Sequence, residues 1–189
     1  MKAVRQLTLA LLAAMLLITT PAGAAKSKPC KDASLVPTSA DQMVRVQRAT
    51  RCLVSRERTR RGLKSLKANS PLLEASGWQA QDMIEHEYFE HSRAGGPGFT
   101  DRILRFGYAE GSDGYTIGEN IAWASAPIAT PRQIVKLWMA SPPHRKNILT
   151  RTYRDQAVAA LWSGGEVGGD YSDSGGPFVI FVNQFGARF

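Results

Sequence analysis

The sequence predicts an α+β fold, with helices layered on an antiparallel sheet. Three observations predict it. Three helix-period patterns precede residue 142, two β-type runs close the chain, and one polar loop joins those runs. No internal repeat is visible.

The chain has 189 residues and a formal charge of +8. It opens with MKAVRQLTLALLAAMLLITTPAGA: Lys2 and Arg5, an apolar run from Leu7 to Ile18, then Ala22-Gly23-Ala24. This order is that of a cleaved secretory signal over 1–24, and the run is too short for a comfortable membrane span. No integral span is expected after cleavage, and no cysteine directly follows the small residues to carry a lipid. Residues 25–40 read as a flexible leader and 41–189 as one domain, a usual single-domain length. Loss of Lys2 and Arg5 lowers the charge to +6, which still favours anionic polymers or headgroups. Secretion or a periplasmic location follows. Cys30 and Cys52 then lie where disulfides persist, and one bridge would tie leader to first helix; two separate thiols are the alternative.

From Asp41 to about Gly62, Val46, Ala49 and Leu53 recur at helical spacing, and the arginines lie largely elsewhere. Gly62 supplies the stop. Although basic, this segment lacks interleaved aromatic residues, and the signal removes the chain from most nucleic acid, so a solvated helix face is expected. Ser70-Pro71 opens a second helix, with Leu73, Ala80, Met83, Ile84 and Tyr88 on its apolar face and an end near His91. The stretch 93–118 is glycine-rich loop with one helical piece, TDRILRFGY, packing Ile103, Leu104 and Phe106. Thr130-Pro131-Arg132-Gln133 matches a capping box, after which Ile134, Leu137 and Trp138 face inward. Ser141-Pro142-Pro143 stops this helix, so that His144 emerges with no helix beneath it. A short strand near Ile121 and the runs QAVAALW (156–162) and FVIFVNQF (178–185) supply the sheet.

Three constellations carry chemistry. His86-Glu87-Tyr88-Phe89-Glu90-His91 imitates the zinc-protease H-E-x-x-H with one residue too many. Five residues at about 100° each turn the second imidazole well away from the first, so the zincin reading fails. Asp173-Ser174-Gly175-Gly176-Pro177 imitates the serine-protease nucleophile string, but a serine needs a base and an orienting acid, and the chain has neither a T-A-A-H-C segment nor the length for two barrels. A glycine-rich hairpin loop makes such strings by chance. The third set is dispersed: His91 in YFEHS, Glu119 in IGENIAW and His144 in SPPHRKNIL. Two imidazoles and a carboxylate suit a divalent metal such as zinc, or without metal a proton transfer in which Glu119 supports a histidine. Each alone would be a polar group satisfied in a loop. Ser92, Asn120 and Arg145 flank the three, and Arg145 could meet a carboxylate or an anionic ligand.

F-x-H-S, G-E-N-I-A and W-M-x-S-P-x-H-R-x-N-I-L, in this order, resemble the CAP superfamily of cysteine-rich secretory, antigen 5 and pathogenesis-related proteins, in its bacterial SCP-like branch. The opening CLVSRERTRRGLKSLKANSPLLEASGWQAQDM and the closing VNQFG extend the likeness over roughly 45–187. The resemblance implies an α-β-α sandwich whose cleft holds two histidines and two glutamates and can bind a divalent metal. His91 and Glu119 match that pattern and His144 matches in a different local string. The second glutamate has no counterpart, since Met139, Ala140 and Ser141 follow Trp138. The expectation is a binding module for an extracellular or envelope ligand, such as a lipid, glycan or cell-wall polymer. A hydrolase or peptidase using the same residues is the alternative.

Overall fold

The structure is a computed structural model that describes residues 28–165 and 167–189. The signal reading therefore lies outside the described residues, as does the start of the leader. After a 3-10 turn at Ala40–Gln42 come α1 (Met43–Thr59), β1 (Lys67–Ala68), α2 (Ser70–Glu85), α3 (Phe99–Arg105), β2 (Tyr115–Ser125), α4 (Pro131–Ala140), α5 (Pro142–Leu149), β3 (Asp155–Trp162) and β4 (Phe178–Arg188). The strands form one sheet in the order β1-β3-β4-β2. β4 is antiparallel to both β2 and β3, and β1 adds a short parallel pair to β3.

The near-continuous apolar run of β4 has a direct cause: the strand is buried on both faces. Val179, Phe181 and Phe185 pack with α1, α4 and α5 through Val46, Leu53, Val54, Ile134, Trp138 and Ile148. Phe178, Ile180 and Val182 meet Ala80 and Met83 of α2. Helices thus cover the sheet on both sides, as the α-β-α sandwich requires.

Several boundaries differ from the sequence expectation. Asn69, not Ser70, caps α2 by accepting the Leu72 N–H at 3.0 Å, which places Ser70 and Pro71 in the first turn. Leu72 is inside while Leu73 is exposed, and the helix stops at Glu85, so the segment on to His91 is not helical. On α4 the Thr130 hydroxyl accepts from Gln133 N–H at 3.2 Å, half of the expected box, while Leu137 faces outward. In α3, Ile103 is buried and Leu104 exposed. The strand near Ile121 is much longer than expected and pairs with β4 along its whole length.

Ser141-Pro142-Pro143 does end α4, but a new helix starts at once. The prolines occupy the first turn of α5, where a missing N–H costs nothing because that donor would have had no partner. His144 sits on this turn rather than beyond any helix. Residues 28–39, read as part of a flexible leader, are fastened: Cys30 and Ala33 are buried, Arg132 N–H donates to the Ala33 carbonyl at 2.8 Å, and Cys30 is bonded to Cys52. The bridge closes a separation of 22 residues. On loop entropy, its removal costs about 3 kcal/mol. The double variant C30A/C52A should lower the urea midpoint accordingly, and an unchanged midpoint would show that the N-terminal segment docks without it.

Candidate functional site

The sequence Gly118-Glu119-Asn120 lies on β2, an edge strand, where consecutive side chains point to opposite faces. Ile121 packs toward α2 and Ala122 and Ala124 toward α1 and α4, which puts Glu119 on the α2 face and Gly118 and Asn120 on the other.

The Glu119 side chain is 1% exposed, and both of its oxygens are engaged. Oε1 pairs with His91 Nδ1 at 2.9 Å. Oε2 accepts from the Arg102 guanidinium at 2.9 Å and from Gln184 Nε2 at 2.9 Å. Arg102 is equally buried, lies over the rings of Phe99 and Trp78 at 5.8 and 6.0 Å, and donates to the His91 carbonyl at 3.2 Å. One arginine therefore holds both the acid and the backbone of its histidine partner.

The loop that carries His91 is pinned at both ends. Gln79 of α2 donates to the Glu90 carbonyl at 2.8 Å, and Arg93 reaches Asp82 at 3.3 Å. Burial works against the Asp82 charge, but hydrogen bonds from Tyr88 and Arg93 outweigh it and hold its pKa below the ordinary carboxylate value. His86, the other histidine of the spurious zinc motif, is bonded to Asp82 and exposed.

On the opposite face Asn120 donates to the His144 carbonyl at 3.0 Å, and Asn147 of α5 donates to the Glu119 carbonyl and to Asn120 Oδ1 at 3.0 and 2.9 Å. The far end of α5 is clamped by buried Arg58, which donates to the carbonyls of Ile148 and Thr150 at 2.6 and 2.9 Å. Gly118 completes the seat: a Cβ there would collide with the Tyr153 hydroxyl and crowd Asn147 Oδ1 at 3.0 Å.

The two imidazoles are driven in opposite directions. The Glu119 hydrogen bond raises the pKa of His91, outweighing its partial burial. Burial lowers that of His144, and the nearby positive charge of His91 lowers it further. His91 is thereby favoured as a donor cation, half exposed, and His144 as a neutral ring.

Of the expected site residues, His91 and Glu119 are in contact and His144 stands within electrostatic reach. Asn120 supports α5 rather than facing a ligand. Ser92 is exposed. Arg145 lies in a separate surface hollow with Pro142, Lys146 and Leu149, and makes no ion pair among the described residues. Ser174 spends its hydroxyl on the Gly176 carbonyl at 2.9 Å, and no imidazole among the described residues hydrogen-bonds to it. The donor set does not fit a metal centre of two imidazoles and a carboxylate: each Glu119 oxygen is already taken, and among the described residues no group of three His, Cys, Asp or Glu could hold an ion.

Sequence reading missed Arg102 and Gln184. Both had a signal, a charged residue beside Ile103 on the inward side of a short helix and a polar pair, Asn183-Gln184, inside the most apolar strand.

Among known proteins, residues 53–182 match the family described as the Cysteine-rich secretory protein family, CAP. The uncharacterized protein YkwD of Bacillus subtilis (strain 168) is 35% identical over 112 residues, 59% of this chain and 41% of that protein's length. An outer surface protein of Borrelia burgdorferi shares the fold with a TM-score of 0.57 at 19% identity, over 74% of this chain and 90% of its own. An extracellular SCP-domain protein of Bacillus anthracis str. Ames does so with a TM-score of 0.57 at 22% identity, over 79% of this chain and 44% of its own.

Proton NMR of the imidazoles should show His91 titrating above, and His144 below, the ordinary value of about 6.5. Because the folded His91 value is raised, its stabilising contribution is full below that ordinary pKa and is lost as pH rises through the folded one. Glu119→Gln should bring the His91 titration down; an unmoved curve would mean that the carboxylate does not govern the ring. Gly118→Ala should destabilise the fold by about 1–3 kcal/mol, read by urea unfolding, with loss of the His91–His144 coupling in the same NMR titration.

Proposed function

The chain belongs to the cysteine-rich secretory protein (CAP) family, and from that footing we propose that it is an extracellular binding module, exported through its N-terminal signal. Its His91–His144 surface takes the polar end of an envelope ligand, a lipid, glycan or cell-wall polymer. The relatives described as extracellular or outer surface proteins support the location. Among the described residues no helix is long and apolar enough to cross a membrane.

The observation that carries this reading is the full engagement of Glu119. A carboxylate with both oxygens bonded to fixed donors and its side chain 1% exposed turns no free oxygen to a ligand and serves as a strut. What it offers a ligand is the ring it orients. His91 then offers a charge-assisted donor on its half-exposed ring, and His144, within electrostatic reach of it, offers a neutral ring that can accept. A donor and an acceptor together recognise a hydroxyl, carboxyl or phosphate group. The basic surface of the chain adds attraction for an anionic polymer.

The same opposition of pKa directions favours a second reading, a hydrolase in which neutral His144 takes a proton from water while cationic His91 stabilises the developing charge. Two measurements separate the readings. Isolated cell-wall sacculi, anionic lipid vesicles and a glycan array are offered to the wild type, His91→Ala and His144→Ala; the binding module should retain one class and lose about tenfold or more in each variant. Equal binding by all three proteins removes the two histidines from recognition. Peptide-library cleavage that disappears in His144→Ala would establish the hydrolase instead.

A further inference from the structure

Strand β3 is paired with β4 along its whole length, but on its other side β1 covers only Asp155 and Gln156. Alternate residues of a strand aim their peptide groups at the same edge. The Gln156 carbonyl accepts from Asn69 N–H at 3.2 Å and the Ala160 carbonyl from the Gln47 side chain at 3.2 Å, so this outer edge carries the groups of Gln156, Val158 and Ala160. Val158, between them, faces no strand among the described residues. Past β1 the edge opens into a slot of about 600 Å³ between α1 and α2. Gln47, Arg48 and Arg51 line one wall, Leu73 the other, and Gln156 to Val158 the floor.

We propose that this slot receives an extended acidic segment of a partner polypeptide as an added strand along β3. Its main chain pairs with the peptide groups of Val158 and Ala160, and its carboxylates meet Arg48 and Arg51. The position of the slot carries the argument first. It lies in the plane of the sheet between helices that belong to the two covering layers, so a strand entering it keeps the sandwich spacing. Charge decides the class of partner. Arg45, Arg60 and Arg61 on or just after α1 are paired with acids, whereas Arg48 and Arg51 have no ion pair among the described residues. Val44 and Leu73 at the rim are 52% and 43% exposed and offer apolar contacts to alternate side chains of the guest.

The buried Gln156 side-chain oxygen has no donor, an unmet acceptor in the floor itself. Gln47 stands where the missing strand would be. Its amide satisfies one edge carbonyl and shields the edge from indiscriminate pairing, and an incoming strand displaces that flexible side chain. A nucleic acid or glycan could not match the alternating N–H and C=O row; a polypeptide main chain does.

The test is selection of a displayed random heptapeptide library on the purified protein, followed by amide hydrogen exchange with the selected peptides, made synthetically. Acidic, proline-poor sequences should be enriched. They should slow exchange at Val158 by about tenfold or more and bind Arg48→Glu/Arg51→Glu about tenfold more weakly. The proposal falls if no acidic sequence rises above background. It falls equally if the selected peptides bind the charge-reversed protein as tightly as the wild type, or leave Val158 exchange unaltered.

Discussion

The buried pairing of Arg102 with Glu119 is the constraint on which the candidate site rests. Two opposite charges, each almost wholly removed from water, are tolerable only because each is held by further partners. Gln184 shares the carboxylate, two aromatic rings receive the guanidinium, and the His91 carbonyl takes a second arginine nitrogen. Removing either charge strands the other, so α3, β2 and the His91 loop depend on one another through a single contact. Its energetic return need not be large. What the pair specifies is geometry, because the loop after α2 has little regular structure of its own to fix where its imidazole points.

Edge placement gives the site its second property. A central strand is buried on both faces and can offer its residues only to the core, as β4 does. β2 lies at the margin, so Glu119 on one face and Asn120 on the other serve two different helical layers while remaining neighbours in sequence. The histidines arrive from those two layers: His91 from the loop after α2, His144 from α5. Their opposite protonation preferences follow from the two settings: the carboxylate raises His91, and burial lowers His144.

Much of the fold was legible because burial writes itself into periodicity. β4 reads as a strand from its unbroken apolar run, and α1 reads as a helix from Val46, Ala49 and Leu53. The motif order singled out His91, Glu119 and His144 together, but which histidine receives the carboxylate is visible only in the fold; the exclusion of a zinc helix followed from geometry alone. What stayed hidden had physical reasons. The long β2 mixes Thr116, Gly118, Glu119 and Asn120 with apolar residues because its side chains answer to a site, which blurs the alternation that marks a strand. α5 was concealed by its prolines, which signal a stop for the helix before them and an equally good start for the one after. Arg102 escaped because an arginine on a short helix is ordinarily solvated, and its place beside Ile103 is a faint signal next to the tertiary contact that buries it.

The junction between α4 and α5 is a single residue, Ser141, with Trp138 buried upstream and Ile148 buried downstream. A linker that short transmits rotation rather than absorbing it. Each residue of a helix advances about 100° around its axis, so one residue gained or lost here would swing the imidazole at 144 to another side of the molecule. Spacing, more than the identity of the linking residue, is therefore what natural variants of this region have to preserve.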